Sequence, residues 1–486
     1  MEAEPGKVEP AAEAQTIRLY NTLTRRVEPL RTREPGHLRL YVCGVTVYDY
    51  AHVGHARVMV AFDTLVRFLE WTGQRVTYIR NITDIEDKII NRARENGEST
   101  EELSSRFAKA LVDDSIALGN RKPDVEPLAT EHIPEMVEMI ENLEEKGLAY
   151  RTPDGVYFSV GEFPDYGKLS RRNLEDLKAG ARVEVDEHKR HPADFALWKA
   201  AKKGEPFWSS PFGPGRPGWH IECSAMSSRY LGETFDLHGG GEDLVFPHHE
   251  NEIAQSEGSS GKPFATHWAH VSFLRLGDEK MSKSLGNIVN IRDALDRFPR
   301  EALRLMLAQT HYRSPLEFTM DGVAEAERVL VRMYESLSRA LVAAPATEDV
   351  PEAEQVTREL RAALLDDLNT PRALAALHDG IRALNRMSDD GETGRAARVA
   401  AAVVEAGSVL GLLQGDPEAT LEEWRQQRAD ESGIDAGRIE ALIEERAQAR
   451  VSKDFARADE IRDELAAAGI ELKDTPGGPT TWTAKR

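Results

Sequence analysis

A chain of 486 residues is too long for one hydrophobic core, and at roughly 100–200 residues per domain it predicts about three or four domains. A composition that is 41% apolar and 30% charged is that of a globular protein, and no apolar run approaches the roughly 20 residues that a bilayer span requires. The formal charge of −21 excludes a surface coated throughout in lysine and arginine, while a local basic face for phosphate remains compatible with it.

The opening MEAEPGKVEPAAEAQ is acidic, Pro/Ala-rich and without an apolar stretch. Residues 1–15 are therefore expected to form a disordered arm, neither a secretory signal nor a basic transit peptide, and the protein to be cytoplasmic. HLRLYVCGVTV alternates apolar residues at Leu38, Leu40 and Val42 and predicts a buried strand. After the turn TVYDYAHVG, apolar residues at Val58, Ala61, Phe62, Leu65, Phe68 and Leu69 predict a helix closed by Gly73. RVTYIRNI predicts a second strand, and TDIEDKIINRAREN a helix capped at its start and ended by Gly97. This β-α-β order predicts a Rossmann-like parallel sheet, with ligands beyond the carboxyl ends of its strands.

From 131 to 212 the short apolar pieces VYFSV and FALWK lie among charges and turn residues. They predict an insertion that splits an α/β domain into 16–130 and 213–275. Strand–helix alternation returns in TFDLHGGGEDLVFPHHENEIAQSEG and continues through 276–320. Residues 321–413 are Ala/Leu/Glu/Arg-rich with helical periodicity and predict a bundle, after which GDPEAT reads as a linker to a small unit at 417–486.

His52-Val53-Gly54-His55 places two imidazoles on one side of a first helical turn, where they and the backbone N–H groups can donate to phosphate. Lys280-Met281-Ser282-Lys283-Ser284 follows the strand HVSFLRL on a glycine-flanked loop, and its ammonium groups reach the same phosphates. In this order, each after a strand, the motifs resemble the two signatures of class I aminoacyl-tRNA synthetases, with Val53 in place of the more usual Ile. The resemblance implies that ATP activates an amino acid, whose carboxylate attacks the α-phosphate. It makes His52, His55, Lys280 and Lys283 the catalytic groups, acting with Mg²⁺ on the developing charge. Thr46 and His238 are expected on the ATP side.

The only two cysteines, Cys43 and Cys223, stand 180 positions apart. His248 and Glu252 lie four apart on one helical face. Two sulfurs, an imidazole and a carboxylate suit tetrahedral zinc, although buried cysteines and a surface His/Glu pair satisfy the same spacing. CGVTVYDYAHVGHAR, NITDIEDKII, GRPGWHIECSAM, HGGGEDLVFPHHENEIAQSE, KMSKSLGN and LNTPRALAAL narrow the resemblance to the cysteinyl-tRNA synthetases, over nearly the whole chain from about Thr16. In that family the positions of Cys43, Cys223, His248 and Glu252 bind one zinc per subunit, which takes the sulfur of L-cysteine. Coordination then separates cysteine from serine, so no editing is expected, whereas packing between near-isosteres yields only about 1–3 kcal/mol.

The resemblance further implies that Gly44 and Asp243 meet the substrate ammonium, Thr83 its carboxylate, and that Trp219 walls the sulfur. It makes 131–212 a connective insertion, 276–320 a stem-contact region, and the last unit an anticodon-binding domain for tRNA(Cys), with Trp482 a base-stacking candidate among Arg446, Arg450, Lys453, Arg457 and Arg462. A mixed-charge helical surface is the plainer reading of those arginines. The chain is expected to act as a monomer. Two other readings compete: a cysteine ligase of mycothiol synthesis, which lacks both the anticodon domain and the ligand matching Glu252, and a catalytically dead RNA- or nucleotide-binding relative, against which both signatures stand intact.

Overall fold

The computed structural model describes residues 16–173, 188–276, 279–280, 288–432, 436–467, 470–474 and 480–484. The expected acidic arm at 1–15 and Lys283 lie outside them, as does the side chain of Lys280.

Four parallel strands form the central sheet, in the order Ala265–Val271, Phe235–Gly241, His37–Thr46, Arg75–Thr83. The chain enters at His37–Thr46, runs to one side through the helix Val53–Trp71, and returns much later to fill the other side. That reversal opens a crevice beyond the carboxyl ends of the two central strands. Strand His37–Thr46 is apolar on both faces because both are covered, as in parallel sheets generally. Helix Val53–Trp71 packs closely on the sheet at Gly239, where a Cβ would lie 2.2 Å from Phe62. The second predicted helix starts later than its sequence suggests. It spans Asp87–Asn96 with Glu86 as the cap, and Thr83 remains the last residue of the strand. Gly97 ends it in a left-handed conformation, φ +71°.

The insertion contributes a four-stranded antiparallel sheet, Ala149–Thr152, Gly155–Phe158, Phe195–Ala200 and Gly215–Pro217. Its last strand runs past the predicted boundary at 212. Val156, Phe158 and Trp198 share one core with Tyr41, Ile221 and Trp268 of the central sheet and its helices, so the insertion is fused to that layer.

Helices Met320–Leu341, Pro351–Leu365, Thr370–Asp389 and Thr393–Leu410 make the predicted bundle. Its core is continuous with helix Val53–Trp71, and the buried Arg304 guanidinium spans the junction, donating to Asp63 at 2.6 Å and to the Leu410 carbonyl at 2.9 Å. GDPEAT is a shorter connection than expected. A helix starts inside it at Pro417 and runs to Ser432, with Trp424 set edge-on against Tyr334 at 5.3 Å. The remaining unit, helices Ala436–Val451 and Phe455–Ala467 with the hairpin Ile470–Lys473/Thr481–Ala484, has its own small core. Among the described residues no helix is long and apolar enough to cross a membrane.

Candidate active site and metal centre

Strand His37–Thr46 pairs in register with its neighbour up to Val42 and again from Val45, which leaves Cys43 and Gly44 in a bulge. A bulge re-aims side chains at the end of a strand, and here it delivers Cys43 to the crevice. Gly44 cannot be replaced without moving the backbone, because a Cβ would fall 1.6 Å from the Asn81 carbonyl oxygen. Its N–H donates to Asn81 Oδ1 at 2.8 Å. Helix Trp219–Leu231 brings Cys223 from a second direction. His248 closes the turn that follows Phe235–Gly241, and Glu252 lies in the first turn of helix Glu250–Ser260.

The ligand atoms of Cys43, Cys223, His248 and Glu252 lie within 4.8 Å of one another, and all four residues are buried. Glu252 Oε1 is 3.3 Å from Cys43 Sγ and 3.0 Å from His248 Nε2. Tetrahedral zinc with sulfur at about 2.3 Å and nitrogen or oxygen at about 2.0–2.2 Å sets its donors roughly 3.3–3.8 Å apart. The residues present therefore fit such an ion in number, type and spacing. Among the described residues a second set, Cys43, His238, His249 and Glu252, meets the same closeness and shares two members with the first.

Charge in this cluster is strongly organised. Burial pushes the Cys43 thiol well above its ordinary value, and the neighbouring Cys223 adds to the effect. Cys223 moves the other way: burial opposes its ionisation too, but the hydrogen bond from Cys43 and the His248 imidazole draw it down to about 6. Burial disfavours a charged His248, yet Glu252 and Cys223 raise it to about 10. For Glu252, burial is outweighed by His238 and His248, which hold the carboxyl well below the usual range. Buried anionic sulfur and carboxylate side by side form a set that a dication satisfies.

A cleft of about 320 Å³ opens directly onto this cluster. Its lining brings together Cys43, Gly44, Thr46, His52, His55, Trp219 and Asp243, and the Trp219 ring lies 4.2 Å from that of His248. His52 caps helix Val53–Trp71, accepting the Gly54 N–H on Nδ1 at 3.1 Å, and His55 Nδ1 accepts the His52 N–H at 3.2 Å. The two rings stack at 3.7 Å. Because both Nδ1 atoms accept, the proton of each neutral ring resides on Nε2, and that edge is a donor.

Chain emerging from the lysine loop is stapled to this helix start. The Val53 N–H donates to the Val289 carbonyl at 3.0 Å, and that of Ile291 to Ala51 at 2.9 Å. Lys280 lies in the short strand Glu279–Lys280, paired with Leu274–Leu276.

Two of the expected contacts are not among the residues that line the cleft. Thr83 does not line the cleft: it is buried, and its hydroxyl donates to Glu222 Oε2 at 2.8 Å. The Thr83 hydroxyl is thereby engaged with helix Trp219–Leu231. His238, expected beside ATP, lies against the four-donor cluster, with Nε2 2.8 Å from Glu252 Oε2 and its ring stacked on Trp268 at 4.5 Å.

Sequence reasoning missed Asn81, which ties Gly44 to Thr83, and Lys88, a cation that lines the cleft. Their signal was their position, in NITDIEDK at the carboxyl end of a strand. In the C-terminal unit Trp482 is buried with Ile439, Leu442, Ile461 and Leu465 and forms part of that small core. Arg446 and Arg450 both grip Asp474, while Arg457 pairs with Glu445 and Glu460.

The chain matches three family models: the tRNA synthetases class I (C) catalytic domain at residues 29–328, the DALR domain at 359–414, and the cysteinyl-tRNA ligase anticodon binding domain at 436–482. It is 53% identical over 471 residues to the cysteine–tRNA ligase of Halorhodospira halophila, covering 97% of this chain and 100% of the relative. With that of Geobacter sulfurreducens it is 52% identical, covering 96% and 100%. In fold it resembles a methionyl-tRNA synthetase of Mycobacterium tuberculosis in complex with methionyl-adenylate, with TM-score 0.57, 15% identity, and coverage of 77% of this chain and 89% of that one. The LeuRS of Agrobacterium radiobacter K84, in a ternary complex with tRNA and LeuAMS, gives TM-score 0.57 at 12% identity, covering 81% and 86%. From its catalytic sheet to its C-terminal unit, the chain belongs to the cysteine–tRNA ligases, a family of class I aminoacyl-tRNA synthetases.

Proposed function

We propose that this enzyme activates L-cysteine with ATP and transfers it to the 2′-hydroxyl of the terminal adenosine of tRNA(Cys), selecting its substrate by sulfur. The observation that carries this reading is the contact between the cleft and the four-donor cluster: Cys43 and Trp219 border both. Cys43, Cys223, His248 and Glu252 would hold zinc, which supplies a soft Lewis acid that prefers sulfur to a hydroxyl.

Gly44 and Asp243 orient the ammonium of the amino acid, and Trp219 closes the pocket against water. His52 and His55 donate from Nε2 to the phosphates of ATP, at a helix amino-terminus whose dipole favours the same charge. Lys280 and Lys283 bring two further cations, and Thr46 completes the ATP side, with Mg²⁺ accompanying the nucleotide. The substrate carboxylate attacks the α-phosphorus, pyrophosphate leaves, and these donors stabilise the charge that develops on the phosphoryl oxygens. Transfer follows when the ribose hydroxyl attacks the acyl carbon and AMP departs. The stem-contact region at 276–320, the helical bundle at 321–413 and the C-terminal unit are assigned to tRNA, with 131–212 a connective insertion.

ATP–pyrophosphate exchange with each standard amino acid, before and after chelation, tests the reading. Exchange should occur with cysteine and vanish with the metal. Exchange with serine comparable to cysteine, or indifference to complete metal removal, overturns it.

A further inference from the structure

The resemblance placed His238 beside ATP, but its position in the fold gives it other work. We propose that His238 is a positioning residue of the metal centre, holding Glu252 so that the carboxylate offers the metal one oxygen and not two. The proposal rests on the reading of Cys43, Cys223, His248 and Glu252 as ligands.

Glu252 divides its oxygens between two sets of neighbours. Oε1 faces Cys43 Sγ at 3.3 Å and His248 Nε2 at 3.0 Å, inside the donor group. Oε2 turns away and takes His238 Nε2 at 2.8 Å. Both residues are fully buried, so water does not compete for either oxygen.

His238 is fixed in place by its strand and by a surrounding set of rings. Its strand pairs it with Tyr41 on one side and Trp268 on the other, and its ring stacks on Trp268 with an interplanar angle of 13°. Among the described residues, Nδ1 is buried with no hydrogen-bond partner. An apolar ring would fill the space without that orphan atom, and burying a polar atom unpaired is unfavourable. The single contact that repays it is Glu252.

A carboxylate free to rotate can chelate through both oxygens and occupy the position an incoming sulfur needs. Pinned at Oε2, Glu252 donates through Oε1 only, and the metal keeps a coordination position for substrate. Hydrogen-bond partners that orient metal ligands in this way typically contribute 10–100-fold in metal affinity.

Two variants of the full-length enzyme separate the donor from the ring. His238→Phe preserves the stack on Trp268 and removes the N–H. His238→Gln supplies an amide N–H at similar reach and removes the ring. Zinc affinity by chelator competition, and the visible spectrum of the cobalt-substituted protein, should show His238→Phe weakened about 10–100-fold, with a fainter band of higher coordination number. His238→Gln should stay within a few-fold of wild type and keep its spectrum. In exchange assays His238→Phe should raise KM for cysteine more than it lowers kcat.

The proposal is overturned if His238→Phe binds metal as wild type does, or if both variants lose affinity equally, which marks a packing role. It is also overturned if X-ray absorption counts two imidazoles on the metal in wild type and one in His238→Phe, which makes His238 a ligand. A wild-type enzyme that holds no metal removes the ligand reading itself, and this proposal with it.

Discussion

The carboxyl end of the parallel sheet and the C-terminal unit contain similarly eye-catching residues and use them in opposite ways. At the sheet, Cys43, Cys223, His248 and Glu252 come from four separate segments and turn their donor atoms toward one point. In the C-terminal unit, Trp482 is absorbed into a core, and Arg446 and Arg450 share a pairing with Asp474. A residue type names a chemistry only where its neighbours leave that chemistry unused. At the sheet, two sulfurs, an imidazole and a carboxylate are buried with their donor atoms gathered at one point, and that convergence meets the condition. In the small unit, carboxylates and packing have already claimed the cations and the indole.

The largest test of this contrast is Cys223→Ser. It exchanges a soft ligand for a hard one, so kcat/KM for cysteine in pyrophosphate exchange should fall at least about 10³-fold. The circular dichroism spectrum should stay native, and global unfolding would instead mark the metal as structural. Next, Trp482→Ala should destabilise the C-terminal unit by about 3–5 kcal/mol, as truncation of a buried aromatic does, measured as loss of a separate transition on thermal unfolding. An indole serving as a base-stacking platform would instead weaken tRNA binding with little change in melting. His55→Ala removes one phosphate donor and should lower kcat for exchange by about 10²-fold, with the fold intact.

Acid should separate the two regions further. Burial lowers the pKa of His267, on the catalytic sheet, from 6.5 to about 4. The folded state therefore favours the neutral ring, and the unfolded chain takes up the proton first. The contribution is fully present above pH about 6.5. As pH falls toward about 4 it declines, by about 3 kcal/mol in all. The C-terminal unit has no histidine, and hydrogen bonds from Arg446 and Thr480 hold Asp474 well below the usual carboxylate range. Its stability should not change until pH drops below about 4. Hydrogen exchange at pH 7 and pH 5 should thus show loss of protection in the sheet strands but not in helices Ala436–Val451 and Phe455–Ala467. Equal losses in both would erase the distinction. At the small end, Arg462→Ala breaks only exposed pairs with Asp459 and Asp463 and should change the melting free energy by less than about 1 kcal/mol.

Much of the catalytic half was legible because its signals are local. A period-two strand, a 3.6-period helix and a capping turn placed His52 at the helix start within a residue of where it lies. The i, i+4 spacing of His248 and Glu252 likewise survives in the fold. Other features depended on atoms far apart in the chain. The late start of helix Asp87–Asn96, which keeps Thr83 in the strand, follows from pairing with His37–Thr46. The shared core that fuses the insertion to the catalytic layer, and the extension of the bundle through Trp424, were equally invisible in local pattern.

The amino-acid order by itself determined the elements, their β-α-β rhythm, the helix-capping histidines and the inventory of donors, because each depends on neighbours within one or two turns of chain. Only tertiary structure decided that Cys43 and Cys223 meet, that His238 faces Glu252, and that Trp482 is interior. Those outcomes depend on which faces pack together, and the short-range periodicity of a single chain does not encode the pairing of distant faces.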